Sequence, residues 1–121
     1  MSVVKEGDII LASLPQANGQ VKLRPVLVLR QVPPFRDFLL CGISSQLRHA
    51  VPGLDMIIDN SHSDFSRSGL TIPSLIRTAF LTIKPSDTIA GAIGSVSRDT
   101  YRQLLSNLAN YLLQADNAEE I

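Results

Sequence analysis

The chain has 121 residues, 45% of them hydrophobic and 18% charged, and its eleven basic and eleven acidic side chains leave a formal net charge of zero. That length predicts one domain that buries about two thirds of its unfolded surface without metal or disulfide staples, and the composition excludes intrinsic disorder. A zero balance also argues against nucleic acid as a partner, because phosphate binders are usually basic overall.

Cys41 is the single cysteine, so an internal disulfide and a thiolate metal cluster are both excluded. Its setting in Phe38-Leu39-Leu40-Cys41 reads as core. No apolar run approaches the ~18 residues that span a bilayer, and the N-terminus lacks a signal-peptide core. Cytoplasmic location without membrane contact is therefore expected. There is no Gly-rich phosphate loop, zinc spacing or nucleophile elbow, so no cofactor and no metal site are predicted.

In chain order, Asp8 to Leu14 reads as a strand between Gly7 and Pro15. Pro15 to Gln20 is a loop with an Asn18-Gly19 turn. Val26 to Leu29 is a continuous apolar run, as in a strand covered on both faces, with Pro25 at its first position. Gln31 to Phe35 is a loop and Phe38 to Ile43 a further strand. Leu54 to Ile58, Leu70 to Ile72 and Leu75 to Ile83 are additional strands, and His62 to Ser68 is polar and turn-like. Ser97 then caps a helix, with Asp99 in its first turn. Its apolar stripe is Tyr101, Leu104, Leu105, Leu108 and Leu112. This stripe reads as core, with a share in an interface left open. The reading is a single domain over residues 1–114, mainly β within the α+β class, followed by a flexible acidic tail over 115–121.

The strands flanking Pro33-Pro34 form a predicted antiparallel hairpin whose paired residue numbers sum to about 68. Leu29 then faces Leu39, Val28 faces Leu40, Leu27 faces Cys41, Pro25 faces Ile43 and Arg24 faces Ser44. Directly opposed side chains share a face about 4.5–5.5 Å apart. A guanidinium and a hydroxyl at that spacing make an anion cradle; the bland alternative is a solvated arginine beside a serine turn.

Three runs carry a resemblance: Gly7-Asp8-Ile9-Ile10, then Lys22-Leu23-Arg24-Pro25-Val26-Leu27-Val28-Leu29, then Gly42-Ile43-Ser44-Ser45-Gln46. With Ser68-Gly69-Leu70, Ile76-Arg77-Thr78 and Ile93-Gly94 in the same order, residues 6–113 resemble the PemK/MazF toxins of bacterial toxin–antitoxin pairs. The resemblance implies a small SH3-like β-barrel with a C-terminal helix and a homodimer. It also implies a metal-independent endoribonuclease acting on single-stranded RNA and restrained by a cognate antitoxin protein. It makes Arg24 and Ser44 the catalytic pair, and Lys22, Ser45, Gln46, Ser74 and Arg77 contacts to RNA. Arg77 is equally open to a structural ion pair.

One departure stands out. Many family members carry an acidic residue or Gln just before the Ile-Arg-Thr segment, where this chain has Pro73-Ser74-Leu75. Ser74 can act there only as a hydrogen-bonding group. That supports a second reading, a non-catalytic barrel binding an antitoxin peptide or nucleic acid. His49 and His62 are candidate acid–base groups, both in loop settings. Charge bears on the choice as well. Residues 1–115 hold eleven basic and eight acidic groups, net +3, and residues 19–50 hold five basic groups against Asp37 alone, net +4.

Overall fold

The computed structural model describes residues 4–15 and 17–117. Six strands form one curled antiparallel sheet: β1 (Asp8–Pro15), β2 (Val21–Val32), β3 (Asp37–Ser44), β4 (Met56–Ile58), β5 (Ser74–Lys84) and β6 (Ala92–Ser95). Their order across the sheet is β4-β5-β3-β2-β1-β6. A short helix, α1 (Phe65–Ser68), precedes β5, and a long one, α2 (Arg98–Leu113), follows β6. The mainly β architecture with a C-terminal helix is the expected one, in the form of a half-barrel.

Both faces of the central strands are covered, which is why Val26 to Leu29 is apolar without alternation. On one face Ile9, Leu27, Cys41, Ile43 and Ile76 pack under Leu104 and Leu108 of α2. On the other, Ile10, Val26, Val28, Phe38, Leu40 and Ile89 form a second cluster. Cys41 lies in the first, and burial together with the negative charge of Asp55 pushes its thiol up to about 12, although an amide hydrogen bond at Leu27 pulls the other way. The thiol is therefore inert at neutral pH.

The β2–β3 register follows the sum of 68 at Val26–Gly42, Leu27–Cys41 and Val28–Leu40. It then slips, so that Arg30 rather than Leu29 pairs with Leu39. Leu29 occupies the bulge because its carbonyl accepts the Tyr101 hydroxyl at 2.6 Å, while Glu6 takes the Gln31 N–H at 3.0 Å and Arg30 Nε at 2.8 Å. These bonds replace the ladder bonds the slip removes.

Several boundaries differ from expectation. The strand expected over Val26 to Leu29 runs from Val21 to Val32, with the turn confined to residues 33–36. Pro25 therefore stands inside a strand, tolerated because the β3 ladder stops at Val26. Leu70 to Ile72 form no strand, and β6 was not anticipated. His62 to Ser68 includes one helical turn. Leu112 lies 59% exposed, because α2 runs past the edge of the core that buries Leu104 and Leu108. Of the tail expected over 115–121, residues 115–117 belong to a 3-10 turn (Gln114–Asn117) and residues 118–121 lie outside the described residues.

Three contacts seat α2. Asp64 accepts the Ser97 N–H at 2.8 Å, and the Ser97 hydroxyl accepts the Thr100 N–H at 3.2 Å. Gly69 and Gly94 supply the third, a backbone crossing of α1 on β6. A Cβ on Gly94 would stand 2.3 Å from the Ser68 carbonyl oxygen, and one on Gly69 would stand 2.2 Å from that of Ile93.

Candidate active site

The central strands part company at one end of the sheet. Beyond Val26, β2 stays with β1, where Arg24 pairs with Ala12. Beyond Gly42, β3 stays with β5, where Ser44 pairs with Leu75. Arg24 and Ser44 are consequently not ladder partners, and neither are Pro25 and Ile43. The separation leaves a cleft of about 460 Å³ between the two branches, lined by both Arg24 and Ser44. Arg24 continues the face of Val26 and Val28, and Ser44 that of Leu40 and Gly42, so both project on the side away from α2.

The cleft also takes in Ser45, Gln46, Arg77 and Phe80, and among its described lining residues none is acidic. Ser44 Oγ accepts the Gln46 N–H at 3.0 Å. A hydroxyl has one donor and two acceptor sites, so this bond fixes the oxygen and leaves its proton to serve an outside acceptor. Gln46 Oε1 in turn accepts from Arg48 Nη1 at 2.5 Å. Arg77 makes no ion pair among the described residues; its guanidinium carbon lies 4.9 Å from the Phe80 ring centre.

The remaining candidates lie elsewhere. Lys22 is exposed on the same face as Arg24, one pleat further out, opposite Leu14 at the rim. Ser74 is buried, and its hydroxyl donates to the Ile72 carbonyl at 2.8 Å, so its side chain closes a turn and does not line the cleft. His49 is exposed in a 3-10 turn (Leu47–His49) outside the cleft lining. His62 Nδ1 accepts the Asp64 N–H at 2.9 Å, a structural bond below α2.

Of the part of the cleft built by β5, sequence reasoning found Arg77 but missed Phe80 and the bulge that carries it. Between Arg77, paired with Gly42, and Leu81, paired with Cys41, three residues of β5 face no partner on β3. This wide bulge is secured from the far side. The Thr78 N–H donates to Asp55 Oδ1 at 3.2 Å, and its hydroxyl donates to the Leu54 carbonyl at 2.8 Å. Asn107 of α2 donates to the same carbonyl at 3.3 Å. Asp55 also accepts the Val51 N–H at 3.0 Å. The bulge carries Phe80 back over Gly42, and a Cβ there would stand 2.5 Å from the ring. The one available signal was the isolated glycine in Phe38–Ser44, which marks a close approach to a strand.

Comparisons with known proteins bear on the family and the fold. The model of the family described as PemK-like, MazF-like toxin of type II toxin–antitoxin systems matches residues 5–112. Among solved structures, the chain is similar to the Mycobacterium tuberculosis toxin MazF-mt6, at 23% identity and a TM-score of 0.62 over 85% of this chain and 93% of that one. It is also similar to an endoribonuclease in complex with its cognate antitoxin from Mycobacterial species. That match has 16% identity and a TM-score of 0.65 over 91% of this chain and 95% of that one. No curated protein matches.

Proposed function

Because the chain belongs to the PemK-like, MazF-like toxins of type II toxin–antitoxin systems, we propose that it is a metal-independent endoribonuclease cleaving single-stranded RNA. The supporting observation is the meeting of Arg24 and Ser44, from separate strands, in one cleft with no acidic residue among its described lining. In this reading a ribose 2′-oxygen attacks the adjacent phosphorus. The new P–O2′ bond forms and the P–O5′ bond breaks, leaving a 2′,3′-cyclic phosphate and a 5′-OH. Negative charge grows on the non-bridging oxygens of the pentacovalent intermediate. Arg24 meets it with a guanidinium that remains protonated, and Ser44 with the proton that Gln46 leaves available. Arginine cannot accept the 2′-OH proton, so water takes it, and water returns a proton to the departing 5′-oxygen to give the 5′-OH.

Ser45, Gln46 and Arg77 are RNA contacts in this reading, with Lys22 at the rim. The protein acts as a cytoplasmic homodimer held in check by an antitoxin; a similar mycobacterial endoribonuclease is solved in complex with its cognate antitoxin. Leu11, Val21 and Leu23 support a second copy: they share one face of the β1–β2 ribbon and are all exposed, Leu23 to 65%. The inward turn of Ser74 favours the second reading, a barrel that binds RNA or an antitoxin peptide without cutting.

Incubation of the purified chain with a long mixed-sequence RNA in EDTA, with sequencing of 5′-OH ends, tests the choice. Cleavage is expected, and Arg24→Ala should slow it about 10²–10³-fold with the fold intact, since removing one stabilising donor has that effect. Light scattering should give twice the 13.2 kDa of one chain. Absence of 5′-OH ends selects the binding module, and a monomer at micromolar concentration counts against the dimer.

A further inference from the structure

Phe80 is left unexplained by packing. It is a large apolar side chain with 56% of its surface exposed, yet its position is tightly determined. The three-residue bulge that projects it is held by Thr78, itself fully buried, through Asp55 and Leu54. The ring occupies the space that a side chain at position 42 would need, which only glycine leaves empty. The Arg77 guanidinium lies over it at 4.9 Å. Such an arrangement orients an aromatic surface without burying it, at the wall of a cleft that also holds Arg24 and Ser44.

We infer that Phe80 is a stacking platform for one nucleobase of the RNA, seated beside the phosphate that Arg24 and Ser44 engage; this rests on the reading of the cleft as a ribonuclease site. An aromatic ring next to cationic side chains is the general means of holding single-stranded nucleic acid, since every base offers a π-face and every nucleotide a phosphate. Arg77 has two parts in this scheme. It fixes the ring by a cation–π contact and adds positive charge for the neighbouring phosphate. A protein surface bound at the same place would gain from apolar bulk at position 80 but would not require an aromatic ring.

The test compares a short single-stranded oligodeoxynucleotide, which lacks the attacking 2′-OH, with an abasic backbone of equal length. Binding of the full-length protein to each is measured by fluorescence anisotropy. Wild-type protein should prefer the base-bearing strand by about tenfold or more, the range for stacking one base on an aromatic side chain. Phe80→Ala should lose most of that preference while binding the abasic backbone as wild type does, and Phe80→Trp should keep it. Circular dichroism confirms that the variants are folded. Retention of the full preference by Phe80→Ala overturns the platform, as does a Phe80→Leu variant equal to Phe80→Trp, which would show that apolar bulk and not ring stacking holds the strand. If wild-type protein cleaves RNA but Phe80→Ala keeps the preference, the platform alone falls. If wild-type protein neither binds nor cleaves, the ribonuclease reading falls with it.

Discussion

At the scale of single residues, buried polar side chains divide between the site and its scaffold, and their hydrogen bonds tell which is which. Asp64 belongs to the scaffold. Burial pushes its carboxyl up, but hydrogen bonds from the Ser97 amide and from the Thr100 and Ser97 hydroxyls outweigh this and hold it below the ordinary aspartate range. A carboxylate with a depressed native pKa adds stability above its unfolded value and loses it as pH falls through the native one. Asp64→Asn keeps an acceptor for Ser97 but removes the charge. It should lower stability at pH 7 by about 1.5–3 kcal/mol, the range for hydrogen bonds to a charged group. In urea titrations the gap from wild type should begin to close as pH falls below the unfolded carboxyl's value of about 3.9, and go on closing as pH falls through the lower native one. A gap unchanged between pH 7 and pH 3 would show that the carboxylate's charge contributes nothing. Ser74 falls on the scaffold side as well: the family resemblance made it a candidate for RNA contact, yet its hydroxyl is committed to Ile72.

At the scale of elements, the bulge in β5 joins fold to site. It depends on Thr78, whose hydroxyl and amide replace two lost ladder bonds, and on α2, which reaches the same Leu54 carbonyl through Asn107. Thr78→Val keeps the shape and removes the hydroxyl donor. Denaturant unfolding should show a loss of about 1–2 kcal/mol with an unchanged m-value, because the surface exposed on unfolding stays the same. A loss within error would mean that Asn107 alone satisfies Leu54. The central strands were legible because an apolar run four or more residues long, free of alternation, has few alternatives in a small domain. The inner register was legible too, since Val26, Leu27 and Val28 match Gly42, Cys41 and Leu40 under one sum. The outer half of β2, Val21-Lys22-Leu23-Arg24, alternates apolar and polar as a strand does, but it is exposed and lies outside the continuous apolar run on which the strand was placed. β6 has four residues, one of them Gly94, and is recognised only by the backbone that crosses it. The slip at Leu29 and the bulge at Thr78–Phe80 are decided by Tyr101, Glu6, Asp55 and Leu54, all remote in sequence. Arithmetic within one hairpin could bring Arg24 and Ser44 to the same end of the sheet, but it could not show that the strands diverge there and open the cleft.

At the scale of the whole molecule, net charge is a poor guide and its placement a better one. The +4 counted over residues 19–50 overstates what the cleft offers. Arg30 is bound to Glu6 at 2.8 Å, and Arg36 sits in the turn at the closed end of the hairpin, away from the cleft. Arg24 and Arg77 face the cleft, while Arg48 leans on Gln46 and Lys22 stands at the rim. About three phosphates can be neutralised by such a set, so log K for single-stranded nucleic acid should fall with log salt at a slope near −2. Titrations of a 2′-deoxy oligonucleotide from low to high salt measure this directly. Arg24→Ala should reduce the slope by about 0.7, one phosphate's share, and Arg36→Ala should leave it unchanged. A slope that responds equally to both variants would mean that binding follows the total basic count and not the cleft. The local reading would then fail, and the zero balance would regain its force as an objection to nucleic acid.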